Sequence, residues 1–216
     1  MKRTEDTRTL VTRALTNVLT ESVGSVSQNA YYAQLAVWGQ NGTTFLSKFN
    51  PDLQYYCASH PERCFTANTP TLHDVRKVYG SEITESWLDI QLTDLVKFAG
   101  VKKENAGVLI RPLAQVLASN YGFLKVSELM LFFQQFKGGM YGRFYGQFDP
   151  MVVTEGLHDF LEYRNTRLAA IERRKVSERR KELERKRQRQ EAAGELLTAE
   201  EWKEIGWLFN MGYEMR

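Results

Sequence analysis

Three consecutive hexads carry the most conspicuous chemistry in this chain, which is fixed positive charge. They are Arg173-Arg174-Lys175-Val176-Ser177-Glu178, Arg179-Arg180-Lys181-Glu182-Leu183-Glu184 and Arg185-Lys186-Arg187-Gln188-Arg189-Gln190. Between Arg164 and Gln190 twelve Lys/Arg stand against four Glu, a local charge of +8 in a chain whose total is only +3, so the remainder is at −5. A helix turns about 100° per residue, so a six-residue period moves each basic triplet about 240° around the axis, and three triplets cover every side. An interfacial membrane helix would need an apolar face opposite the charge, and a coiled coil would need a heptad seam; neither is present. A rod that is positive all round suits a phosphate backbone, where Lys and Arg release counterions and give affinity without sequence preference. The expected nucleic-acid contacts are therefore Arg173, Arg174, Lys175, Arg179, Arg180, Lys181, Arg185, Lys186, Arg187 and Arg189. An acidic protein partner and a plain solvated helix, locally favoured by Glu182 and Lys186 at i,i+4, are the other readings.

A second unusual segment is Lys137-Gly138-Gly139-Met140-Tyr141-Gly142-Arg143-Phe144-Tyr145-Gly146-Gln147-Phe148. Glycines let a backbone approach a ligand closely, and aromatic faces interleaved with bases are the ingredients of single-strand stacking platforms. Lys137, Tyr141, Arg143 and Tyr145 are the candidate contacts. The competing reading is a tight connection in which Tyr141, Phe144 and Phe148 plug the core. A third candidate is residues 198–213, where Thr198-Ala199-Glu200-Glu201 forms a capping box ahead of Trp202, Ile205, Leu208 and Phe209. Such a short aromatic helix fits a protein partner's groove, and packing back on its own body is the alternative.

Weaker signals are set aside. Cys57-x₂-His60-x₃-Cys64-x₈-His73 supplies zinc-type ligands, but with irregular spacing and with Pro61 inside it, so buried thiols and a surface histidine are expected and no metal. His158 with Asp159 and Glu155 is a lone helical histidine, and no Walker A loop, nucleophile elbow or HExxH occurs. No catalysis and no cofactor are expected.

The elements that must position these groups read as mainly α: a small helical bundle with a long basic C-terminal helix and a short terminal helix. Residues 1–70 form a poorly defined region with one or two short helices, 71–168 a helical core, 169–193 the basic arm and 194–216 a C-terminal amphipathic helix. Leu10, Ala14, Leu15, Val18 and Leu19 fall at helical spacing. Residues 49–70 hold three of the five prolines and read as loop. Thr71 and Asp74 box the start of a helix closed by Gly80. The next carries Leu88, Leu92, Leu95, Val96 and Ala99 up to Gly100. A helix over 103–119 is expected to turn Val108, Leu109, Leu113, Val116 and Leu117 inward, with Pro112 kinking or dividing it. Another, over 127–137, places Leu129, Phe132, Phe133 and Phe136 on one face. Asp149-Pro150 starts a helix of about forty residues, about 60 Å long. No signal peptide or bilayer-length apolar run is seen, and two cysteines suggest a reducing cytoplasm.

One block is distinctive as a whole: Glu128-Leu129-Met130-Leu131-Phe132-Phe133, then Phe136-Lys137-Gly138-Gly139-Met140-Tyr141-Gly142-Arg143-Phe144-Tyr145-Gly146, then Asp149-Pro150 and Phe160-Leu161-Glu162-Tyr163-Arg164. Over roughly residues 57–168 it resembles a family of largely uncharacterised proteins from bacterial mobile elements and phages with the order FF..FK.G.YG.FYG..DP. The resemblance implies an accessory factor in DNA replication, of the helicase-loader kind. It implies no catalytic residues.

Overall fold

A computed structural model describes residue 35 and residues 37–101, 103–193 and 198–211. The helix expected around Leu10–Leu19, and the stop expected at Gly212, lie outside the described residues. Within them are nine helices and no strand, only an isolated bridge between Thr71 and Lys125. In chain order the helices are α1 (Gly42–Lys48), α2 (Leu53–Ser59), α3 (Pro61–Thr66), α4 (Leu72–Tyr79), α5 (Ser81–Phe98), α6 (Lys103–Asn120), α7 (Val126–Lys137), α8 (Pro150–Ala193) and α9 (Ala199–Met211).

Local chemistry explains where they begin. The Asn41 side chain accepts from the Thr44 N–H at 2.9 Å and starts α1. Thr71 and Asp74 form the expected capping box of α4, and Gly80 closes it at φ +89°. Asp149 Oδ1 accepts from the Met151 N–H at 2.8 Å, with Pro150 as the first residue of α8. The reading of residues 49–70 as loop is corrected: α2 and α3 lie there. Two of the prolines that suggested loop sit where helices tolerate them, Pro51 just ahead of α2 and Pro61 at the first position of α3.

The core is built around α7, which is buried on every side from Val126 to Phe133 rather than on one face. Helices α2, α3, α5 and α8 all pack on it. Phe132 alone meets the rings of Phe133, Phe136, Tyr141 and Phe160 within 6 Å, and aromatic pairs at such separations add to the stabilisation from burial. Two backbone carbonyls at the end of α3 accept from Lys125 Nζ at 3.0 and 2.9 Å (Phe65 and Ala67), so the residue preceding α7 finishes α3.

Helices α5 and α6 form an antiparallel hairpin. In α6 the expected inward face is corrected: Leu113 and Leu117 are buried, but Val108 is 80% exposed and Leu109 and Val116 are also exposed. The buried set is Ala106, Ile110, Leu113, Ala114 and Leu117. Arg111 sets this roll by pairing with Glu85 and Asp89 of α5 at 3.0 and 2.8 Å, and the small Ala106 and Ala114 let the helices approach. The helix runs unbroken past Pro112. In α5 the stripe from Leu88 to Val96 is buried as expected, while Ala99 is exposed.

Helix α8 spans 44 residues, about 66 Å at 1.5 Å per residue. Its first half buries Val153, Leu157, Phe160 and Ile171. Arg164 Nε reaches Glu128 Oε1 of α7 at 2.9 Å, and Glu128, only 1% exposed, also accepts from the Lys125 N–H at 3.0 Å. That satisfied charge pair fixes where α8 crosses α7. No helix among the described residues is long and apolar enough to cross a membrane.

Candidate nucleic-acid interface

The second half of α8 is the basic arm, and it leaves the core at Ile171. Its root is pinned: Arg174 donates to both carboxylate oxygens of Glu62 on α3, at 3.2 and 2.8 Å, with Arg167 at 3.9 Å from the same group. The hydrogen bond and charge of Arg174 hold the Glu62 carboxyl below its ordinary pKa. Further out, α9 folds against the arm. Arg179 donates from Nε and Nη2 to Glu204 at 3.0 and 2.8 Å, and Gln190 reaches Glu201 at 3.4 Å. Leu183 is buried there, so this apolar residue inside the charged run has a packing role.

These contacts correct one part of the picture of an arm exposed on every side. Taking Arg173 as the origin and 100° per residue, Arg179, Leu183, Lys186 and Gln190 fall within about 60° of arc, and α9 lies along that strip. Lys186 is additionally within 3.8 Å of Glu182. Arg173, Lys175, Lys181, Arg185 and Arg189 lie on the opposite arc of about 200°. All five are exposed, and among the described residues no ion pair falls on them. Arg180 and Arg187 are exposed as well.

The Gly-aromatic loop divides its residues between core and surface. Gly139, Gly142 and Gly146 take φ of +81°, +112° and +80°, a region closed to most side chains, and so turn the chain sharply between α7 and α8. Tyr141 packs on Phe132 and Phe160 and donates to Gln135 Oε1 at 2.7 Å; burial pushes its hydroxyl up to about 12. Phe144 packs between Phe136 and Phe148, tilted to the first ring and edge-on to the second. Lys137 is held by Asp94 and lies over the Phe98 ring. Lys137 and Tyr141, expected as nucleic-acid contacts, are thus tied into the fold, and the plug describes this segment better. Arg143 and Tyr145 do face outward: Tyr145 is 84% exposed, with the Arg143 guanidinium 5.7 Å from its ring centre. They precede α8, whereas the arm begins 23 residues into the helix, about 35 Å along its axis.

On α9 the capping box forms as expected, with the Glu201 carboxylate accepting from the Thr198 N–H and Oγ at 3.0 Å. Ile205 is half-buried and Trp207 is 60% exposed. The side chains of Trp202, Leu208 and Phe209 lie outside the described part.

Cys57 and Cys64 are buried, and the Cys64 thiol is directed at the Cys57 and His60 carbonyls at 3.6 and 3.7 Å; the hydrogen bond it shares with Cys57 and then burial push its pKa up. His73 is exposed. His158, Asp159, Glu155, Tyr121 and Thr154 line one open hollow of about 540 Å³.

The sequence reading missed the corner between α2 and α3. Tyr55 and Tyr56 are exposed there, His60 stacks on Tyr56 with ring centres 4.4 Å apart, and Arg63 donates to the Tyr56 hydroxyl at 2.7 Å. Pro61 followed by Glu62 is a helix-start signal that would have placed these residues on helices.

Residues 108–208 match the model of a family of unknown function, DUF6633. The matched span runs from within α6 to within α9, so it holds α7, the glycine loop and the whole arm, and leaves the α2–α3 corner outside. No curated protein and no solved structure matches the chain.

Proposed function

We propose that this protein binds nucleic acid through its phosphates, using the arm of α8, and that it acts by binding rather than by catalysis. The observation that carries the reading is the set of five exposed bases, Arg173, Lys175, Lys181, Arg185 and Arg189, which no carboxylate among the described residues neutralises. Too few apolar side chains flank them for burial. A role as an accessory factor in DNA replication is the setting we propose, and the resemblance of residues 57–168 to proteins of phages and mobile elements is what suggests it.

The test is a titration of labelled single- and double-stranded DNA at rising salt. Affinity should fall linearly on a log–log scale, with a slope of about −0.9 per duplex phosphate neutralised. Replacing all five bases by Gln should flatten the slope by up to about 4.5 units and leave the melting temperature unchanged. Binding that ignores salt, or that survives the replacement, removes the arm from the mechanism.

The exposed Trp207 favours a second reading, an adaptor that offers α9 to a protein partner.

A further inference from the structure

Within the nucleic-acid reading, on which this inference rests, we propose that the α2–α3 corner is a base-stacking platform at the foot of the arm, and that the preferred ligand is an unpaired strand. Two independent features converge there. The first is exposed aromatic surface: Tyr55 is 74% exposed and Tyr56 is 47% exposed, both on α2. Tyr56 is braced by His60 on its face and by Arg63 at its hydroxyl, so the ring is held in place by its neighbours. A fixed aromatic ring beside a guanidinium is what an unstacked base needs, and every base has a π-face to offer it.

The second is direction. Arg174 faces α3 through its bidentate pair with Glu62, next in sequence to Arg63. Followed outward along α8, that same face carries Lys181 and Arg185 at i+7 and i+11, within about 20° of Arg174, and then Arg189 at i+15, about 60° round. The free bases on this side therefore form a stripe that begins where α8 meets α3 and runs out along the arm. The opposite side is taken by α9 through Arg179, Leu183 and Gln190. A strand whose phosphates follow the stripe inward arrives at the corner with its bases free to stack at Tyr55 and Tyr56. A duplex following the same stripe has its bases paired and gains only the phosphate contacts.

The full-length protein is titrated with a labelled single strand of about twenty nucleotides and with the matching duplex at one salt concentration. The Tyr55→Ala/Tyr56→Ala double variant should weaken the single strand by about five- to a hundredfold and change the duplex less than twofold. Tyr55→Phe keeps the ring and should keep the single-strand affinity, and an unchanged melting temperature certifies the fold of each variant. Equal losses on both ligands, or no loss on the single strand, overturn the inference. The five-base Gln variant is run alongside. If it weakens both ligands while the tyrosine variant is silent, only the platform falls; if it weakens neither, the phosphate reading falls with it.

Discussion

Single side chains hold the two halves of α8 to the body, and their chemistry can be tested directly. Among the described residues Arg164 is the only guanidinium on the buried Glu128 carboxylate, which also accepts from the Lys125 N–H. Arg164→Met should cost about 3 kcal/mol, because it leaves a buried charge short of its partner, and adding Glu128→Gln should recover part of that in chemical denaturation. No loss from Arg164→Met alone would mean that the pair does not set the α7–α8 crossing. Glu62 gives a pH dependence. Its carboxyl is held below the ordinary value by Arg174, so its contribution is whole above that ordinary value and is lost as the pH falls through the depressed one. The Arg174–Glu62 pair is therefore whole at neutral pH and is lost in acid, while the packing of Phe160 and Ile171 continues to hold α8. A side-chain NMR titration should place the Glu62 midpoint low in the native protein and return it upward in Arg174→Gln. The basic residues of the arm were legible one by one in the sequence, as was the local pair of Glu182 with Lys186, but their pairing with other helices was not, since Glu62 lies 112 positions from Arg174.

Helix starts were readable where a capping side chain marks them, as at Thr71, Asp149 and Thr198, because those bonds are local. The roll of α6 was not, because it is set by Arg111 reaching Glu85 and Asp89 on another helix. The burial of α7 all round was hidden for the same reason: Ser127 and Glu128 look like surface residues until their partners at Cys64 and Arg164 are in place. At α8, Gly156 makes room for the glycine loop. A Cβ there would stand 2.7 Å from the Tyr141 Cβ and 3.1 Å from its carbonyl oxygen. Gly156→Ala should lower the melting temperature, since a clash costing about 1–3 kcal/mol outweighs the ~1 kcal/mol that Ala adds to a helix. Helix α9 packs chiefly on the arm. Truncation after Ala193 should therefore leave core melting unchanged while amide exchange quickens around Leu183. A lowered core melting temperature would instead mean that α9 belongs to the body.

At the scale of the molecule, one helix is both a core element and the arm, so the arm's direction is set by the packing of Phe160 and Arg164 and not by a linker. The mainly helical bundle with a long basic helix was readable from capping residues and charge, whereas the placement of α2 and α3 at the arm's root depends on contacts distant in sequence. The stripe starts at a wall, where Arg174 meets Glu62, and Arg189 is its last base among the described residues, which makes it a ruler read from one end. From Arg174 to Arg189 it measures about 22 Å, the length of roughly seven stacked nucleotides at 3.4 Å each. Affinity should climb with each nucleotide added up to that length and then level off, since among the described residues of α8 no further Lys or Arg follows Arg189.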